Sequence, residues 1–184
     1  MGTLNTYTGK LFDPLTPCEQ GIDIRDIAHA LSLMCRANGH FPTFYSVAQH
    51  SISCMKEAEA RGYSARVQLL CLLHDASEAY ISDITRPVKR VLRDYVEIEK
   101  NLLSAIFAKW LSPMPTDEEM GMVSAVDDTL LYHEFLRYTG TRLWEGEPKL
   151  FSDPAFVFED FGRVEKAFLG EFERLKLLIS ENKA

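Results

Sequence analysis

The sequence predicts an all-α fold: one helical bundle of about six or seven helices around a single core. Three observations carry this. Apolar residues recur at i, i+3, i+4 spacing through most of the chain. Ser, Thr or Asp stands before several of these runs with an acidic or amide residue three positions on, a helix-start signature. No alternating apolar/polar run is long enough for a useful strand. At 184 residues the chain is read as one domain, 1–184, with 1–21 as an irregular N-terminal segment.

The elements follow in order. Residues 1–21 hold Pro14, Pro17 and three glycines and predict no regular structure. Asp23 is the first helix cap, with Asp26 at the third position. Ile24, Ile27, Ala28, Leu31 and Met34 form the apolar stripe, which Gly39 ends. NGHFPTFY is a loop in which Pro42 bars helix. Ser46-x-x-Gln49 is a capping box opening a helix whose buried face carries Val47, His50, Cys54 and Ala58, closed by Gly62. Ser64 caps the next helix, whose inward face reads Val67, Leu70, Cys71, His74, Ser77 and Glu78. Thr85-Arg86-Pro87 starts a short helix with Val88, Val91 and Leu92. Asp94-x-x-Glu97 is a box-like cap for a longer helix through Ile98, Leu102, Ile106 and Trp110. PMP at 113–115 breaks the chain, and Thr116-x-x-Glu119 caps a helix carrying Val123, Asp127, Leu130, Leu131 and Glu134. A loop from Gly140 to Pro154 leads to an amphipathic helix with Val164, Phe168, Phe172, Leu175 and Ile179.

Composition narrows the function classes. Hydrophobic residues make up 46% and charged residues 26%, ordinary for a soluble globular chain. No apolar run approaches a membrane span, so no membrane association is expected. The polar MGTLNTYTGK start predicts no export and a cytoplasmic location. A net charge of −7 makes the chain a poor ligand for polymeric nucleic acid, whose phosphates call for Lys and Arg, yet leaves room for a small anionic substrate. The cysteines, Cys18, Cys35, Cys54 and Cys71, form no C-x-x-C pair. Three fall on apolar faces, so buried reduced thiols are expected.

The chemistry concentrates in HDASEAYISDITRPVK, beginning at His74. His50 and His74 both continue faces that otherwise read as buried, and either alone is more often a satisfied core histidine. Two inward histidines with two inward carboxylates, Asp75 and Asp127, are hard to explain as packing, because buried charges are costly unless paired or metal-bound. The four make a mixed imidazole/carboxylate set for one divalent ion; Mn²⁺, Fe²⁺, Co²⁺, Ni²⁺ and Zn²⁺ all suit it. Asp127 is preferred over Asp128 because it shares a face with Val123, Leu130 and Leu131. Glu78, one turn beyond His74, stands beside such a site as a proton carrier. Asp83 lies just past the helix. Arg36, Lys89, Arg86 and Arg90 are the cations available to a phosphate. For Arg36 the rival role is a cation at the first helix's C-terminus. His29, His40 and His133 read as structural, with His40 and Phe41 placed to border the pocket.

With H…HD…D at His50, His74–Asp75 and Asp127, the chain resembles the HD-domain metal-dependent phosphohydrolases. It resembles in particular the bacterial and prophage branch of 5′-deoxynucleotidases and phage dATP triphosphohydrolases. The carrying segments are 26–51, 72–89 and 125–134. The resemblance implies that His50, His74, Asp75 and Asp127 ligate one metal ion, Glu78 and Asp83 serve catalysis, and Arg36 binds the substrate phosphate; Lys89 is read from the sequence as a second cation for that phosphate. Ala37 stands where that branch usually has an aromatic. The implied reaction is hydrolysis of 5′-(deoxy)nucleoside monophosphates to nucleoside and phosphate, by a homodimer. The alternatives are a dNTP triphosphohydrolase with the same metal set and, from another class, a non-catalytic nucleotide-binding regulator.

Overall fold

The computed structural model describes residues 2–181 and is all-α apart from one small hairpin. The helices are α1 (Ile24–Leu33), α2 (Val47–Ala60), α3 (Ala65–Leu73), the single turns α4 (Glu78–Ile81) and α5 (Arg86–Lys89), then α6 (Arg93–Trp110), α7 (Asp117–Thr139) and α8 (Phe161–Glu181). The hairpin pairs β1 (Leu4–Asn5) with β2 (Leu11–Phe12) inside the segment expected to be irregular. Asp26, buried in the first turn of α1, fastens it by accepting from Thr8 N at 2.6 Å and Thr8 Oγ1 at 2.9 Å.

Helix α3 forms the axis of the bundle. Leu69 to Leu73 are all fully buried, and α2, α7 and α8 pack around them. It is therefore apolar on every side and does not present the single inward face expected for it. The cap at Ser64 is as expected. Both capping boxes also form: Ser46 with Gln49 at the start of α2, and Thr116 with Glu119 at the start of α7. Val164, Phe168, Phe172 and Leu175 of α8 close the core from the far side.

Three local expectations fail for identifiable reasons. First, α1 stops at Leu33, well before Gly39, because the next backbone pairs with the strand-like lead into α2. Arg36 N donates to Tyr45 O at 2.8 Å and Val47 N to Met34 O at 3.0 Å. Second, α3 does not run on through Glu78. From Leu73 the backbone tightens to i→i+3 bonding, with Ala76 N to Leu73 O, Glu78 N to Asp75 O and Tyr80 N to Ser77 O all at 3.0 Å. Third, α6 is preceded by Leu92 with no side-chain cap; Asp94 lies in its first turn, where it still complements the helix dipole. Of the cysteines, Cys54 and Cys71 are buried and helical, Cys35 is partly buried outside any helix, and Cys18 is exposed; all are free thiols. No helix among the described residues is long and apolar enough to cross a membrane.

Candidate metal centre

Four side chains meet where α2, the end of α3 and α7 converge. His50 comes from the first turn of α2, His74 and Asp75 from the turn ending α3, and Asp127 from α7. His50 Nε2 lies 3.1 Å from Asp127 Oδ1 and 3.9 Å from Asp75 Oδ2. His74 Nε2 lies 3.3 Å from the same Asp75 oxygen and 3.8 Å from the same Asp127 oxygen. An ion with bonds of about 2.0–2.3 Å separates neighbouring ligand atoms by about 3–4 Å. The atoms of His50, Cys54, His74 and Asp127 also lie within 4.8 Å of one another, a group that can hold a metal ion.

The tautomers fit that use. His74 Nδ1 sits 2.8 Å from Cys71 O, so Nδ1 carries the proton and the buried Nε2, which has no hydrogen-bond partner, keeps its lone pair. His50 Nδ1 lies 2.6 Å from Glu134 Oε1, both side chains being fully buried. Burial and Arg36 oppose a second proton on His50, while Cys54, Glu134 and Asp127 favour one. The balance lifts the His50 pKa well above the ordinary imidazole value; an ion bound at Nε2 would take the place of that proton. Burial opposes charge on Asp127, but the hydrogen bond from His50 Nε2 at 3.1 Å outweighs it, and that carboxyl is held well below the ordinary range.

Cys54 is the member of this cluster that the sequence reading set aside. It follows His50 by one helical turn, and its Sγ approaches His50 Nε2 to 3.4 Å. Burial pushes its thiol up to about 11, which favours S–H over thiolate. Asp128 points away from the cluster, is half exposed and pairs with Arg86.

Arg36 does not sit at a helix C-terminus, which removes the role of a terminal cation. It opens a tight turn over Arg36–Gly39 in which Ala37 (φ 54°) and Asn38 (φ 49°) adopt left-handed geometry, followed by Gly39 at φ 76°. Alanine there costs about 1–2 kcal/mol, so the surrounding structure imposes the turn. The result is a guanidinium directed inward. It lies 3.3 Å from Asp75, 3.4 Å from Asp127 and 3.4 Å from Glu134. Burial would lower its pKa, but Glu134, Asp75 and Asp127 override this and keep it charged.

A cavity of about 560 Å³ opens beside this cluster, within the usual range for small-molecule sites. Glu78 and Asp83 line it with Asp75 and Asp127. Burial, then Asp75 and Asp83, push the Glu78 carboxyl well above the ordinary carboxylate range; burial also raises Asp83. Ser82, just before Asp83, takes a positive φ of 73°. Lys89 lines the cavity but pairs with Glu99 and lies over the Tyr95 ring. Arg86 bridges Asp127 and Asp128 at 2.7 Å each.

The structure thus brings His50, His74, Asp75, Asp127, Arg36, Glu78, Asp83 and Lys89 to one cluster and its cavity. His40 is exposed and Phe41 packs on Phe135 and Tyr138; neither lines the cavity. His29 stacks on Tyr7 and bonds Glu165, and His133 donates to Pro148 O at 2.8 Å. Sequence reasoning missed the contact of Glu134 with His50, although a carboxylate on an apolar face two turns after Asp127 was the available signal. It also missed Leu143 and Trp144, which line the cavity from a loop without periodicity.

No protein-family model matches the chain. It is 38% identical over 113 residues to the uncharacterized protein YfdR of Escherichia coli, covering 61% of each chain. It is also 38% identical over 112 residues to the uncharacterized protein RCAP_rcc00048 of Rhodobacter capsulatus, covering 58% of this chain and 57% of that one. The chain therefore aligns with about three fifths of the length of these relatives.

Proposed function

We propose that this chain is an HD-type metal-dependent phosphohydrolase that converts 5′-(deoxy)nucleoside monophosphates to nucleoside and orthophosphate. The observation that carries this reading is the convergence of His50, His74, Asp75 and Asp127 at 3.1–3.9 Å, with the buried His74 Nε2 unpartnered, beside a cavity holding two carboxyls of raised pKa. Asp75 is preferred to Cys54 as the fourth ligand, because a thiol held at about 11 gives up its proton less readily than a carboxyl. A bound divalent ion would supply Lewis-acid polarisation of the phosphoryl group and acidify a water.

The chain's own groups account for the rest. Arg36 offers a charge-assisted donor to a phosphate oxygen. A water oxygen bonds to phosphorus as the bond to the 5′ oxygen breaks. Glu78, kept protonated by burial and its acidic neighbours, gives the leaving oxygen its proton, and Asp83 takes up the proton that the water releases.

The rival dNTP triphosphohydrolase reading draws on Arg86, Lys89 and Arg90, which line the same cavity. It is the weaker one because it needs Arg86, paired with Asp127 and Asp128, and Lys89, paired with Glu99, to exchange their carboxylates for phosphate, whereas a monophosphate asks this of Arg36 alone. A non-catalytic regulator has no use for a proton-carrying Glu78. The test is a screen of dNMPs, NMPs and dNTPs on protein reconstituted with each of Mn²⁺, Co²⁺, Fe²⁺, Ni²⁺ and Zn²⁺. Nucleoside and orthophosphate from monophosphates are expected. Tripolyphosphate from dNTPs would replace this reading with the rival one, and binding without turnover would make the protein a regulator.

A further inference from the structure

The cavity is chemically two-sided. Its charged groups come from the Arg36 turn, the α3–α4 turn, Asp83, the α5 segment from Arg86 to Arg90 and Asp127 of α7. Opposite them in composition are Leu131 and Phe135 from α7 and Leu143 and Trp144 from the loop after it. A site that only handled inorganic phosphate or a small sugar phosphate would gain nothing from this apolar wall. A phosphate joined through a sugar to a planar aromatic ring would use both halves.

Trp144 is held for such a role. Its ring packs on Tyr132 at 5.3 Å between centroids, yet Trp144 remains 39% exposed. The loop behind it is tied to the bundle at three points. His133 donates to Pro148 O, Gln49 Nε2 donates to Val157 O at 3.0 Å, and buried Glu57 accepts from Ser152 N at 2.8 Å and Phe151 N at 3.1 Å. An exposed indole on a tethered loop, lining a cavity whose other half is polar, offers a ready stacking surface.

We propose that Trp144, backed by Tyr132 and flanked by Leu143 and Phe135, is the base-binding wall of this cavity and selects nucleoside phosphates over base-free sugar phosphates. This inference rests on the phosphohydrolase reading for the polar half of the site. Base stacking tolerates different bases, so the wall discriminates by the presence of a base more than by its identity.

The experiment compares a deoxynucleoside 5′-monophosphate with 2-deoxyribose 5-phosphate on the metal-reconstituted protein. In Trp110→Phe, where Trp144 is the sole indole, the nucleotide should change Trp144 fluorescence saturably and the sugar phosphate should not. Trp144→Ala should weaken nucleotide binding and kcat/KM by about 5- to 150-fold, as loss of one stacked base does. The sugar phosphate should be unaffected, and Trp144→Phe should restore most of the loss. If Trp144→Ala leaves both substrates unchanged, or weakens both equally, the wall is not a base site although the hydrolase reading stands. If the unmodified protein neither binds nor hydrolyses either compound, the hydrolase reading fails and this inference falls with it.

Discussion

Removing the Glu134 carboxylate tests how the centre is held together. Glu134 Oε1 lies 2.6 Å from His50 Nδ1, and both side chains are fully buried. The contact fixes the proton on Nδ1 and the plane of the ring, which sets where the Nε2 lone pair points. In Glu134→Ala the ring keeps an N–H with no acceptor in a dry environment, a cost of about 1–3 kcal/mol. Losing a carboxylate that orients a histidine ligand typically weakens metal affinity about 10- to 100-fold. That corresponds to about 1.4–2.8 kcal/mol, so the two scales agree. Glu134→Gln keeps the shape and one acceptor oxygen and should fall near the 10-fold end. The assay is calorimetric titration of Zn²⁺ into metal-stripped protein, with Tm measured on the same samples. A folded Glu134→Ala protein with undiminished Zn²⁺ affinity would refute the reasoning.

Other outcomes follow from the same geometry. Glu78→Gln should keep the metal and lose about 10²- to 10⁴-fold in turnover; loss of the ion in elemental analysis would make Glu78 a support of the centre. Arg36→Ala should lower kcat/KM for phosphate-bearing substrates by about 10- to 150-fold, the worth of one charge-assisted hydrogen bond, without weakening metal binding. A drop in metal affinity would mean that Arg36 serves the fold of the centre and not the phosphate. Glu57 governs acid stability. Burial raises its pKa, but Ser152, Arg61 and the Phe151 and Ser152 amides lower it further, so the folded value lies below the ordinary one. Its contribution is present above the unfolded value of about 4.3 and is lost as pH falls through the folded value. The Tm gap between wild type and Glu57→Gln should therefore be largest near neutrality and close below about pH 4; a pH-independent gap would exclude the charge as its origin.

The residues that made the fold legible were those acting locally. Ser46, Ser64 and Thr116 announce helix starts because each side chain reaches the orphan amide three residues on, as Asp94 does not. Stops were harder to read. The end of α1 depends on residues 34–36 pairing with 45–47, and the break after Leu73 on a change of helical pitch; neither has a periodic signature. The site divided in the same way. His50, His74, Asp75 and Asp127 stood out as polar groups on apolar faces, where burial demands a partner. The partners themselves were hidden. Glu134 reaches His50 from another helix, and Trp144 reaches the cavity from a loop whose path is set by tethers to Glu57, Gln49 and His133.

The account's central claim is that His50, His74, Asp75 and Asp127 form one metal centre. Its most direct test is the number of divalent ions bound per chain at saturation in wild type, Asp75→Ala and Cys54→Ala. One ion in wild type and in Cys54→Ala, with none in Asp75→Ala, is the predicted result. An ion retained without Asp75 and lost without Cys54 would contradict it.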